Sequence, residues 1–132
     1  MPQAIVGLDV GTTVAKAVLF GTTGAELHVA EYAYRLRTPQ PGWAELEPDD
    51  IWQAVVHVLR EVADGSPPGT QIRAVALATQ GGSLIPCQAD GTPTYRAITW
   101  MDGRATGLVA RWQAEGVAER IRRISGWSPA PG

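Results

Sequence analysis

Near its N-terminus the chain carries Ala4-Ile-Val-Gly-Leu-Asp9, a short apolar run that ends in an acid and is followed at once by Gly11. Such a run has the pattern of a strand buried on both faces, which is how strands read in the sheets of α/β folds. The next two segments extend the sheet. Thr13 to Phe20 is β-branched and apolar around a single lysine, Gly21-Thr-Thr-Gly24 is turn chemistry, and Glu26 to Leu36 alternates loosely. Three strands joined by short glycine turns predict an antiparallel meander.

Two prolines in Thr38-Pro-Gln-Pro-Gly42 then break the ladder. From Pro48 to Ala63 the apolar residues Ile51, Trp52, Val55, Val56, Leu59, Val62 and Ala63 fall on one face of a 3.6-residue period. Pro48 suits the first turn, Asp49 and Asp50 complement the helix dipole, and Gly65-Ser-Pro-Pro-Gly69 stops the helix. Ile72 to Thr79 is again apolar, and after an intervening helix it is expected to lie parallel to the first strand. Leu84 to Gln88 and Tyr95 to Trp100 predict a hairpin around Ala89-Asp-Gly-Thr-Pro93, and Arg104 to Glu115 and Val117 to Ile124 predict two helices split at Gly116. Trp43 is read as pinning the preceding loop, and Cys87 as a small hydrophobe in a strand. The fold class is therefore α/β, a mixed sheet with a three-stranded antiparallel meander, one parallel strand and helices.

Composition removes several functions. A net charge of −2 with Arg120, Arg122 and Arg123 as the only cationic cluster offers no stripe for a nucleic-acid backbone. The lone Cys87 excludes an internal disulfide framework and a cysteine-rich zinc site, which fits a reducing, cytoplasmic setting. No apolar run is long enough to cross a membrane. His28 and His57 have no acid or cysteine at ligand spacing.

One constellation carries chemistry: Asp9-Val-Gly11-Thr12-Thr13-Val-Ala-Lys16, at the junction of the first two strands and containing the only lysine in the chain. Gly11 lets backbone N–H groups approach phosphate oxygens, Thr12 and Thr13 offer hydroxyls, Lys16 adds positive charge, and Asp9 suits a Mg²⁺-bound water. The spacing is not that of a Walker A loop. A plain hairpin turn is the alternative.

This motif resembles the N-terminal phosphate motif of the FGGY carbohydrate kinases, in the actin-like, ribonuclease-H-like ATPase superfamily. Three further segments, in the family's order, extend the resemblance over residues 4 to 131. Pro41-Gly-Trp43-Ala-Glu45-Leu-Glu-Pro48-Asp-Asp-Ile-Trp52 is similar to the segment leading into the family's first long helix, and its role reads as structural. Thr79-Gln80-Gly81-Gly82 leaves a buried strand where the family contacts its sugar or polyol, although glycines at two of those positions remove side-chain contacts there. Ile98-Thr-Trp100-Met-Asp102-Gly-Arg104 is similar to the family's Ile-x-Trp-x-Asp-x-Arg signature, in which Trp100 offers an apolar face to a sugar. Asp102 and Arg104 either bond sugar hydroxyls or fix the helix start.

The resemblance implies ATP-dependent phosphorylation of a sugar or polyol hydroxyl, with ATP and Mg²⁺ as cofactors and Asp9 positioning the metal. It casts Gly11, Thr12, Thr13 and Lys16 as nucleotide-binding, with the two threonines donating to the phosphate. Gln80, Gly81, Gly82, Trp100, Asp102 and Arg104 become substrate residues. The xylulokinase-like branch is the nearest, gluconate, ribulose and fuculose kinases stay open, and glycerol is the least favoured substrate. Residues 1–132 become the N-terminal part of the first actin-like domain, a partial domain with its general base beyond position 132, so the chain alone is expected to be inactive. Two alternatives remain: an actin-like nucleotide-binding scaffold, and a non-catalytic module that forms a homodimer through an exposed sheet edge.

Overall fold

In chain order the elements are β1 (Gln3–Val10), β2 (Val14–Gly21), β3 (Glu26–Ala33), β4 (Glu45–Leu46), α1 (Pro48–Asp64), β5 (Gln71–Thr79), β6 (Ala97–Ile98), α2 (Thr106–Ala114) and α3 (Val117–Ser125). The computed structural model describes residues 1–131, which form two units. One comprises Met1–Leu36 and Glu47–Gln80, the other Arg37–Leu46 and Gly81 onward.

The first unit is built on a four-stranded sheet in the order β3-β2-β1-β5, with β1 antiparallel to β2, β2 antiparallel to β3, and β5 parallel to β1. The meander and the parallel crossover strand stand as the sequence predicts. Side chains alternate across a strand, so Ala4, Val6 and Leu8 of β1, Ala15, Ala17 and Leu19 of β2, and Ala30 of β3 share one buried face. Helix α1 seats Ala54, Val58 and Val62 in the same core. Pro48 occupies the first turn with Asp49 and Asp50 beside it, where a missing N–H costs nothing and negative charge meets the dipole.

Two expectations for this unit are corrected. The first strand is not buried on both faces, because a helix covers only one: Ile5 and Asp9 are exposed. Trp52 and Ala63 lie outside the buried stripe of α1, and the seam runs instead through Ala54, Val58 and Val62, at steps of four residues. Strand β5 is an edge whose apolar residues stay uncovered, Leu77 being 64% exposed.

The second unit has little regular sheet. Its two-residue strands β4 and β6 pair antiparallel, Glu45 opposite Ile98 and Leu46 opposite Ala97. The predicted hairpin from Leu84 to Trp100 survives only as bridges at Leu84–Ile98 and Cys87–Pro93. Pro86 and Pro93 deprive it of two backbone donors. Cys87 is exposed there rather than packed in a strand. Helices α2 and α3 are separated at Gly116, as expected. Among the described residues no helix is long and apolar enough to cross a membrane.

Truncating Leu19, fully buried between sheet and helix, removes apolar volume that the core cannot refill. Leu19→Ala is expected to cost about 2–5 kcal/mol, whereas Leu77→Ala on the open edge should stay within about 0.5 kcal/mol. Urea denaturation of the two variants checks the contrast.

Candidate functional site

The turn between β1 and β2 is organised around the peptide of Gly11. Its N–H donates to the Val14 carbonyl at 3.0 Å, and a Cβ at this position would lie 3.1 Å from that carbonyl oxygen, so a glycine fits where a larger residue would crowd the turn. The Gly11 carbonyl accepts two side-chain bonds, one from the Tyr34 hydroxyl and one from Gln80 Nε2 at 3.2 Å. The Thr12 hydroxyl donates to Gln80 Oε1 at 3.1 Å. Two backbone bonds complete the frame: Gln80 N–H to Val10 at 3.0 Å, and Tyr34 N–H to Thr13 at 2.9 Å. Burial, reinforced by the charge of Asp9, raises the Tyr34 phenol above its ordinary value, so it is held as a neutral donor.

Asp9, Lys16 and Glu31 are consecutive register partners across β1, β2 and β3. Directly paired residues project to the same face, so the three form an acid–base–acid row on the side of the sheet opposite the helix-covered core. Lys16 Nζ lies 2.7 Å from Glu31 Oε1. This hydrogen bond and the carboxylate's charge raise the lysine's pKa, and both groups are solvent-exposed. Lys16 therefore has a resting partner that the motif did not announce. Asp9 is exposed and makes no side-chain hydrogen bond or ion pair among the described residues. A depression of about 310 Å³ beside the row is lined by Gly7, Asp9, Lys16, Phe20, Ala76 and Ala78, among others.

A divalent cation of the magnesium type is held through one or two carboxylates, with waters and phosphate oxygens completing its shell. The unencumbered carboxylate of Asp9 fits that demand. The described residues contain no cluster of three or more acids, histidines or cysteines that could cage a metal by themselves.

In the second unit the signature residues converge on a charge cluster. Glu45 and Asp102 are 0% and 1% exposed. Arg104 donates through Nε to Asp102 Oδ1 at 2.7 Å, and through Nη2 to Asp102 Oδ2 at 2.8 Å and Glu45 Oε1 at 2.6 Å. Asp102 also accepts the N–H of Ala44 at 2.7 Å and of Arg104 at 2.9 Å, so both oxygens are saturated. Tyr95 donates to Glu45 Oε1 at 2.9 Å and Arg96 to Oε2 at 3.4 Å. The indole of Trp43 lies 3.7 Å from the guanidinium carbon of Arg104.

The cluster holds its charges firmly. Hydrogen bonds from Arg104 hold the Asp102 carboxyl down at about 2 despite burial. Burial alone would raise Glu45, but the bonds from Arg104, Tyr95 and Arg96 outweigh it and leave the group below its ordinary value. The bond to Asp102 raises Arg104 further. Each buried anion thus has a cation and full hydrogen bonding, the condition under which buried charge is tolerated.

Of the sequence-predicted residues, the structure brings Asp9, Gly11, Thr12, Thr13, Lys16 and Gln80 into one unit, and Gly81, Gly82, Trp100, Asp102 and Arg104 into the other. Trp100 is 51% exposed. Gly82 has φ +75° and a built Cβ would stand 3.3 Å from Trp100 Cβ, so a side chain there is strained. Asp102 does not cap α2, whose N-cap residue is Ala105 and lacks a side-chain bond. Sequence reasoning missed Glu45 as a buried anion and Tyr34 as a donor; the apolar neighbours Ala44 and Leu46 were the available hint for the former. His28 and His57, remote in sequence, both line a separate groove of about 570 Å³ over β3 and α1, where His57 pairs with Glu61 at 3.2 Å.

The fold matches that of the FGGY sugar kinases, the actin-like ATPase fold. Gluconate kinase from Lactobacillus acidophilus aligns with a TM-score of 0.88 and 30% identity over 93% of this chain and 25% of its own. Ligand-bound xylulose kinase from the same organism aligns with a TM-score of 0.87 and 30% identity over 92% of this chain and 24% of its own. A family model for the N-terminal domain of the FGGY family of carbohydrate kinases matches residues 4–132. The chain belongs to that family. Among curated relatives, glycerol kinase from Chromobacterium violaceum is 36% identical over 126 residues, 94% of this chain and 25% of the relative. The chain spans about a quarter of the length of the curated relatives it matches.

Because Asp102 ionises below its unfolded value near 3.8, its contribution to stability is present above that value and is lost as pH falls through about 2. Asp102→Asn is expected to remove about 2 kcal/mol of that acid-sensitive stability, read as a flatter acid limb in urea denaturation between about pH 5 and pH 2. Arg104→Met strands two buried carboxylates and should cost about 3–5 kcal/mol at neutral pH.

Proposed function

We propose that the polypeptide carrying this chain is an ATP-dependent carbohydrate kinase of xylulokinase-like type, with residues 1–132 as the N-terminal part of its first actin-like domain. The observation that carries the proposal is the Gly11 turn, immobilised on all sides beside an unpaired acid and the sole lysine. Phosphoryl transfer asks little covalent chemistry of a protein. It asks for positioning and for charge placed against phosphate oxygens. Family membership supports the reaction class. The curated relatives are glycerol kinases and the solved neighbours include gluconate and xylulose kinases, which supports a sugar or polyol acceptor without singling one out.

In this reading the Gly11 turn receives the phosphates, with Thr13 donating its hydroxyl. Lys16 exchanges Glu31 for a phosphate oxygen when nucleotide arrives, a substitution that exposure of the pair makes inexpensive. Asp9 would hold Mg²⁺, and the bound ion would supply positive charge against the phosphate oxygens. Trp100 offers its face to the C–H side of the acceptor. Arg104 supplies donors while Asp102, its oxygens fully used, aims it. No residue of this chain is assigned as general base, so residues 1–132 alone are expected to turn over nothing.

A coupled ADP-release assay with xylulose, gluconate, ribulose, fuculose and glycerol tests the proposal on the full-length polypeptide. Asp9→Ala is expected to lower kcat about 100-fold or more on whichever acceptor is used. Turnover in that variant within about threefold of the parent, or none by the parent on any acceptor, would contradict it. The exposed edge of β5 supports a second reading, self-association of a non-catalytic module. A solution mass of twice the chain's own, together with no kinase activity, would favour that reading.

A further inference from the structure

We infer that Gln80 is a positioning residue for the phosphate turn rather than a ligand of the sugar. The inference rests on the kinase reading and reassigns one residue within it.

Gln80 stands just past the end of β5, where its backbone N–H continues the parallel ladder by donating to Val10 at 3.0 Å. Its side chain then meets the neighbouring turn and uses both ends of the amide. Nε2 donates to the Gly11 carbonyl at 3.2 Å, and Oε1 accepts from the Thr12 hydroxyl at 3.1 Å. The orientation is unique. Exchanging O and N would set the amide oxygen against the Gly11 carbonyl, two acceptors face to face. Glutamate cannot replace it, because an ionised carboxylate has no proton to give Gly11. Asparagine is one methylene shorter. The Tyr34 hydroxyl takes the other share of the same carbonyl, so both lone pairs of Gly11 are committed.

The consequence reaches the two threonines. A hydroxyl has one proton, and Thr12 gives its proton to Gln80. Thr13 is exposed and has no side-chain hydrogen-bond partner among the described residues. The two hydroxyls are therefore unequal: Thr12 belongs to the lock and Thr13 to the phosphate. Because the turn is fixed before nucleotide arrives, the Thr13 hydroxyl needs no backbone reorganisation when charge develops, which is the condition for electrostatic catalysis.

The test is a split of kcat from KM on the full-length polypeptide, with hydrogen exchange as a readout independent of activity. Gln80→Leu is expected to lower kcat roughly five- to tenfold while the KM for the sugar stays within about twofold. Thr12→Val should reproduce the effect, and the double variant should be no worse than either single one, as for two residues of one device. Exchange of the Gly11 amide should accelerate by a similar factor while core amides of β1 and β2 keep their protection, which separates a loosened turn from a misfolded protein. A raised sugar KM with kcat retained would make Gln80 a sugar ligand and overturn the inference. So would unchanged exchange at Gly11. If the parent protein phosphorylates nothing, the kinase reading falls, and the Gly11 exchange alone decides whether Gln80 locks the turn.

Discussion

The first unit depends on one peptide. Gly11 bonds forward to Val14 through its N–H and receives Tyr34 and Gln80 at its carbonyl. Tyr34 follows the end of β3 and Gln80 the end of β5, which are the two edges of the sheet. A turn between the central strands is thus tied to both margins of the sheet that carries it. Those ties need the meander, the return through α1 and the parallel register of β5 to be correct together. A half-buried carbonyl left without donors is costly, so the turn and the sheet stabilise one another.

The second unit solves a different problem with similar economy. Its few regular elements give it little ladder to stand on, and Glu45, Asp102 and Arg104 take over that duty. Buried carboxylates of this kind stabilise little in net terms against an apolar replacement, yet they specify one geometry, because each oxygen has an assigned donor. What they specify is the direction of a guanidinium stacked on Trp43.

Much of this could be read along the chain. The apolar period located α1, the glycine turns located the meander, and an apolar strand after a helix implied the parallel return. Asp9, Gly11, the two threonines and Lys16 stood out because their types suit phosphate. The rest depended on neighbours that spacing does not announce. Glu31 meets Lys16 through the β2–β3 register, fifteen positions along the chain. Glu45 looked like one acid of a loop, and its burial follows from Arg104, fifty-nine residues on. The hairpin dissolves into single bridges because strand propensity takes no account of the donors lost at Pro86 and Pro93. Asp102 precedes a helix, and its side chain reached a stronger partner than the helix N-terminus.

Under the proposed kinase function, the Gly11 turn would act as a preformed phosphate receptor. Titration of ATP with Mg²⁺ into the ¹⁵N-labelled full-length protein, followed at individual amides, examines it directly. A preformed receptor predicts that the largest saturable shifts fall on Gly11, Thr12 and Thr13, with the β1 and β2 core amides unmoved. Saturable shifts centred instead on the groove of His28 and His57, or none at the Gly11 turn, would contradict it.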